Sequence, residues 1–333
     1  MAVPRRALVT GSTGYIGSRL VPTLLAAGWQ VRVLVRDERR IAPRSWSRHP
    51  RIEVVVGNAE RRADLDRALA EVDVAWYLLH SMDGRGDFVA RDRELARHFG
   101  MAAHDADVGR IVYLSGLHPA GPLSDHLASR VEVGDLLMAS GVPAATLQAA
   151  VILGSGSASF EMLRHLTRRL PAMVAPKWLD NRIQPIAIRD VLTLLVAAAD
   201  LPPHVNRAFD IGGPDVVTYR DLIERFASLD GLRARLVITV PVLTPRLASH
   251  WVGLVTPVPT GVARPLVGSL VHEVVCQEND LLAGPGAPPS LLGVDAAMNA
   301  ALSGPRRRDG IPLPEPGDVD PAWLTAADPT WAG

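Results

Sequence analysis

The chain has 333 residues, nearly half of them hydrophobic, and 35 acidic side chains balance 35 basic ones. It can therefore bury a large core, but it has no net field to draw it to nucleic acid or an anionic membrane surface. Its single cysteine, Cys276, excludes an internal disulfide and a thiolate metal cluster, so a reducing, cytoplasmic setting is expected. No run reaches about 18 uninterrupted apolar residues and no signal-peptide core follows Met1, so no transmembrane segment is expected.

The first half alternates short β-branched runs with longer helical patterns, the signature of a parallel sheet wound by helices. Strands are expected at Ala7–Thr10, Val31–Val35, Ile52–Val56, Val74–Leu79, Arg110–Ser115 and Ala145–Leu153. Between the first two, Ile16, Leu20 and Leu24 form one face of a helix that Gly28 closes, with Pro22 as a tolerated kink. A second strong helix covers Phe88 to Ala106. Further on, Ser157 and Ser159 are candidate caps for a helix ending near Leu170. Ile183–Ile188 reads as extended, followed by a helix from Arg189 and a strand at Ala208–Ile211. The turn Gly212-Gly213-Pro214 then leads to a helix capped near Thr218. From Val237 to Leu270 the chain is apolar and broken by prolines, which reads as a cavity wall or core before a dimer surface or a membrane-skimming element. The tail from Gly304 reads as a Pro-rich linker, not a packed element.

Thr10-Gly11-Ser12-Thr13-Gly14-Tyr15-Ile16-Gly17 falls directly after the first strand and opens the first helix. Glycines at this spacing permit the tight turn, the approach of backbone to a pyrophosphate, and close helix–strand packing. The helix N-terminus supplies amides and a positive dipole. The end of the second strand bears on the dinucleotide: Arg36 can pair with a 2′-phosphate, while a shift of two residues makes Asp37 a ribose ligand. NADP(H) is the preferred reading, with NAD(H) as the alternative.

These motifs resemble the atypical and extended short-chain dehydrogenase/reductases, in the region of NmrA-like and complex-I-accessory-subunit-like members. The resemblance covers residues 5–275. It also rests on Leu34-Val35-Arg36-Asp37, Ile111-Val112-Tyr113-Leu114-Ser115-Gly116, Ile183-Gln184-Pro185-Ile186, and Phe209-Asp210-Ile211-Gly212-Gly213-Pro214. Tyr77-Leu78-Leu79-His80-Ser81-Met82 and the stretch from Gly154 to Glu161 look like bacterial NAD(P)H-binding proteins that carry a DUF2867 domain after the reductase-like part. The chain ends at Trp331-Ala332-Gly333, about where that domain begins in such proteins, so a shortened form is one reading. The resemblance implies that Asn58 replaces an adenine-contacting aspartate. It also implies that His80 and Ser81 lie beside the pyrophosphate or nicotinamide ribose.

Active members of that superfamily pair a serine with a tyrosine and a lysine spaced Tyr-x-x-x-Lys on one helix. Here Ser115 fits the serine, but the expected helix reads His126-Leu127-Ala128-Ser129-Arg130, and Lys177 is the only lysine in the chain. The i,i+4 spacing places His126 and Arg130 on one face. In one reading His126, with an unperturbed pKa of about 6.5, is the general acid and Arg130 holds the ribose. In the other the site binds cofactor without turnover, because arginine's larger fork and permanent charge do not simply replace a lysine.

The expected architecture is a doubly wound α/β Rossmann sheet in residues 1–153, with 183–214 returning to it. A smaller substrate lobe would take 154–303 and the tail 304–333. Substrate would sit between the lobes against His80, Ser115, His126, Ser157, Phe160 and Gln184. The expected activity is NADP(H)-dependent oxidoreduction of a small apolar carbonyl or alkene; the alternative is a silent redox sensor or scaffold. No metal and no nucleic-acid partner are expected, and a homo-oligomer is compatible with the sequence.

Overall fold

The computed structural model describes residues 4–80, 87–119, 121, 123–240, 253, 255–269, 271–308, 310–315 and 319–333. Its centre is a seven-stranded parallel sheet. In chain order its strands are β1 (Arg6–Thr10), β2 (Gln30–Val35), β3 (Ile52–Val56), β4 (Val74–Tyr77), β5 (Arg110–Gly116), β6 (Ala144–Ala149) and β11 (Arg207–Ile211). They lie side by side as β3-β2-β1-β4-β5-β6-β11. The strand order reverses between β1 and β4, and in a doubly wound sheet that switch point opens the ligand crevice at the strands' carboxyl ends.

Both faces of this sheet are covered, which is why its central strands read as unbroken apolar runs. On one face helices α1 (Tyr15–Ala26) and α6 (Ile188–Ala197) bury Leu20, Leu24, Val191 and Leu195. On the other, α2 (Arg62–Leu69), α3 (Phe88–Asp105) and α4 (Asp125–Met138) bury Leu65, Phe99, Val133 and Leu137. Helix α1 continues through Pro22, and the Thr23 hydroxyl donates to the Arg19 carbonyl beside it. Gly28, at φ +91°, ends the helix as expected. Its amide bonds Leu25 and that of Trp29 bonds Leu24, the paired bonds of a left-handed C-terminal cap.

The run expected as one strand over Ala145–Leu153 is two. β6 stays in the main sheet, whereas β7 (Ile152–Leu153) leaves it to pair with β10 (Ile186–Ala187). An unbroken apolar run does not reveal where a chain changes sheets. The segment Ile183–Ile188 similarly splits between β9 (Arg182–Ile183) and β10, and β9 pairs with β12 (Val217–Thr218).

The remaining elements build a second apolar cluster at the carboxyl edge of the sheet. They are α5 (Ala158–Arg169), β8 (Ala172–Pro176), α7 (Tyr219–Leu229), β13 (Leu236–Val240) and α9 (Val294–Ser303), with α8 (Thr260–Ser269) in a smaller cluster on Met162 of α5. Ser157 does not cap α5 through its side chain; its hydroxyl donates to the Ile152 carbonyl, and Glu161 accepts the Gly156 amide instead. In the proline-broken segment, Val258, Ala263 and Val267 pack against Met162 of α5, while Trp251, Val252 and Leu254 lie outside the described residues.

The tail departs most from expectation. Ala322, Leu324, Thr325 and Ala332 are buried, and Asp328 makes a two-oxygen ion pair with Arg19 of α1 at 2.7 and 2.8 Å. Arg19 also donates to the carbonyls of Pro321, Trp323 and Ser155, so the tail satisfies a guanidinium that the fold takes out of water. Composition suggested a linker because prolines and charges dominate it. The buried charge on α1 that fixes it is invisible at that distance in sequence. No helix among the described residues is long and apolar enough to cross a membrane.

Candidate functional site: a nucleotide cleft joined to an apolar cavity

At the carboxyl end of β1 the chain turns through Gly11 to Gly14 into α1. Gly11 has φ +70°, and a Cβ there would lie 2.5 Å from the Leu78 carbonyl oxygen on the neighbouring strand's exit. A Cβ at Gly17 would lie 2.3 Å from the Gly11 carbonyl, so the helix packs directly on the turn. Gly14 occupies the N-cap without a side-chain cap, which leaves the first-turn amides to an outside acceptor. The Ser12 hydroxyl is buried without a partner among the described residues. An orphaned hydroxyl, uncapped amides and a turn with no room for side chains fit a pyrophosphate.

A cleft of about 310 Å³ runs from this turn across the ends of β2, β3 and β4, lined by Gly11, Thr13, Arg36, Asn58 and His80. Arg40, which sequence reasoning did not single out, lines it too. Asp37 does not: it accepts the Arg39 amide and pairs with that residue's guanidinium at 2.9 Å. Its carboxylate is therefore committed to its own turn. The Asn58 carboxamide donates to Glu60 and accepts the Glu60 amide, and the Asn58 amide donates to Asp64. Ser81 lies outside the described residues.

On the other side of the turn lies a second cavity, of about 340 Å³ and mostly apolar. Tyr15 and Ile16 of the phosphate turn form part of its wall, with Ser115, His126, Arg130 and Ser157. Met162, Leu166, Trp178, Ile223 and Val267 supply the apolar remainder. Of the expected lining residues, His80, Phe160 and Gln184 are not in the wall, and His80 lines the nucleotide cleft instead. Phe160 is in the core against Phe226, and Gln184 bonds the Gly213 carbonyl and the Cys276 amide. The Tyr15 phenol is buried without a hydrogen-bond partner among the described residues, and burial raises its pKa, so it stays protonated.

His80 and His126 connect the two spaces, one lining each. Their rings are 4.7 Å apart, with His80 Nε2 3.3 Å from His126 Nδ1. Behind them Asp92 of α3 places Oδ2 3.1 Å from His80 Nδ1. Asp92 was missed in the sequence although a signal existed: it lies four residues before Ala96 on the buried stripe of α3, where a carboxylate needs a partner. Burial, then the Arg130 cation, then His80 push the His126 pKa down to about 3; burial and Arg130 also lower that of His80 against the pull of Asp92. Desolvation and the Arg130 cation thus favour the neutral form of His126 near neutrality. The Ser115 and Tyr113 hydroxyls both donate to the Arg130 carbonyl, at 3.3 Å each.

The sheet order, the switch-point crevice and the glycine turn define a Rossmann-type dinucleotide-binding protein. Residues 11–156 match the NAD(P)H-binding family, and this part of the chain is an NAD(P)H-binding domain. Two curated relatives are reductases. The chain is 28% identical over 216 residues to the (4-alkanoyl-5-oxo-2,5-dihydrofuran-3-yl)methyl phosphate reductase of Streptomyces griseus, covering 64% of this chain and 70% of that one. It is 28% identical over 242 residues to the ceramide reductase of Caulobacter vibrioides, covering 71% and 75%. The triphenylmethane reductase of Citrobacter sp., solved with NADP(H), has the same fold: TM-score 0.70, 17% identity, over 89% of this chain and 99% of that one. The part spanning residues 11–156 is thus NAD(P)H-binding, and the chain as a whole is similar to reductases.

Proposed function

We propose that the chain is an NADP(H)-dependent oxidoreductase acting on a small apolar carbonyl or alkene, with His126 exchanging the proton. The observation that carries this reading is the imidazole pair spanning the nucleotide cleft and the apolar cavity. When bound, the dinucleotide supplies or accepts a hydride. The uncapped first turn of α1 and Ser12 hold its pyrophosphate, and Arg36 with Arg40 selects a 2′-phosphate through charge-assisted bonds. The apolar wall excludes water and binds the substrate's hydrocarbon part, with His126, Ser115 and Arg130 among the polar groups that fix its oxygen. That two relatives act as reductases supports the chemistry; the absence of a Tyr-x-x-x-Lys pair on α4 makes the imidazole its carrier.

One feature favours the silent, cofactor-sensing alternative: burial and then the Arg130 cation push the His126 pKa down to about 3, so at neutral pH the ring is not an imidazolium ready to act as a general acid. The two readings separate in an assay of NADPH oxidation and NADP⁺ reduction against a panel of quinones, enones, ketones and secondary alcohols. Turnover that falls by about 100-fold or more in His126→Phe supports catalysis. Cofactor recovered unchanged across the panel, with binding intact, supports the sensor.

A further inference from the structure

The hydrogen-bond chain behind His126 determines which of its nitrogens carries the proton. A carboxylate only accepts, so His80 donates to Asp92 from Nδ1. A neutral His80 then presents a bare Nε2, which also only accepts, and His126 must donate to it from Nδ1. A neutral imidazole has one proton, so Nε2 of His126 is left bare in a residue that lines the apolar cavity. Resting on the oxidoreductase reading above, we propose that Asp92 and His80 are positioning residues that hold His126 Nε2 as a proton acceptor, so the resting site takes an apolar alcohol.

The proton step balances without any outside group. The substrate O–H bond breaks and an Nε2–H bond forms on His126. The His126 Nδ1 proton passes to His80 Nε2, leaving a His80 imidazolium against the Asp92 carboxylate and an alkoxide in the cavity. Arg130, one helical turn from His126, is the cation placed to compensate that alkoxide, and its charge disfavours early protonation of either ring. A carbonyl oxygen would instead face a lone pair in the resting state. It could be protonated only after the imidazole pair had taken up a proton.

The test is the tautomer itself, read by long-range ¹H–¹⁵N correlation on the full chain with ¹⁵N-labelled histidine, without substrate. Wild type at pH 7 should show His126 protonated at Nδ1 and pyridine-like at Nε2, and His80 likewise. Asp92→Asn presents an amide that can donate to His80 Nδ1. The proton then moves to His80 Nε2, and His126 should flip to the Nε2–H form through two hydrogen bonds. His126 found protonated at Nε2 in wild type, or left unflipped in a folded D92N variant, overturns the proposal. The wild-type spectrum decides even if the variant does not fold. If the tautomers are as proposed but no compound of the panel turns over, the oxidoreductase reading fails alone. With an alcohol that is turned over, D92N should lower kcat by about 10- to 100-fold with KM for NADP⁺ unchanged.

Discussion

At the nucleotide end of the cleft, the turn proposed to meet the phosphates is a single continuous stretch, Gly11 to Gly17. At the apolar end the wall draws on α4, α5, α7, α8 and the strands between them, from Leu114 to Val274. The first is specified by local backbone geometry, the second by how distant elements pack. The two should therefore fail differently. Damage to the turn should remove cofactor at modest cost in stability. Damage to what holds the outer elements should cost stability first.

The largest effect is expected at the tail. Asp328→Ala leaves the Arg19 charge buried without its carboxylate, which should cost about 3–5 kcal/mol in urea unfolding. A loss below about 0.5 kcal/mol would show that the tail contributes little, and the contrast between the two ends would weaken. Acidification should act at the junction. His126 is neutral in the fold down to about pH 3, whereas in the unfolded chain it protonates near its ordinary value of about 6.5. Between those values the unfolded state binds the extra proton, so stability falls as pH drops through that window. His165, pushed down to about 4 by burial and then by Arg164, adds to the same slope. His126→Gln should flatten the curve but not abolish the slope; an unchanged curve would place the effect elsewhere.

Gly17→Val should cost about 1–3 kcal/mol from overpacking against the turn, yet abolish nucleotide binding in protein that still folds. Loss of fold without a selective loss of binding would count against a dedicated phosphate turn. Arg40→Ala should have the smallest effect, weakening NADPH by about 10-fold while leaving NADH nearly unchanged.

The same contrast decides what the sequence revealed. The sheet and its turn were legible because each strand, glycine and helix start carries a local signature, down to Gly28 at the end of α1. The partners of charged groups were not. Nothing near Arg36 in sequence shows whether Asp37 turns toward the cleft, and it turns to Arg39. Phe160 and Gln184 were placed in the cavity by topology alone, and packing directs them elsewhere. His80, His126 and Asp92 come together only because the exit of the central strand β4 meets α3 and α4 at the carboxyl end of the sheet.

The central claim is that this cleft holds a dinucleotide and that arginines at the end of β2 choose the phosphorylated one. Its most direct test is titration of the purified chain with NADPH and with NADH, followed by tryptophan quenching. NADPH should bind more tightly, with the preference erased in Arg36→Ala. Equal binding of the two nucleotides, or a preference that survives Arg36→Ala together with Arg40→Ala, would contradict it.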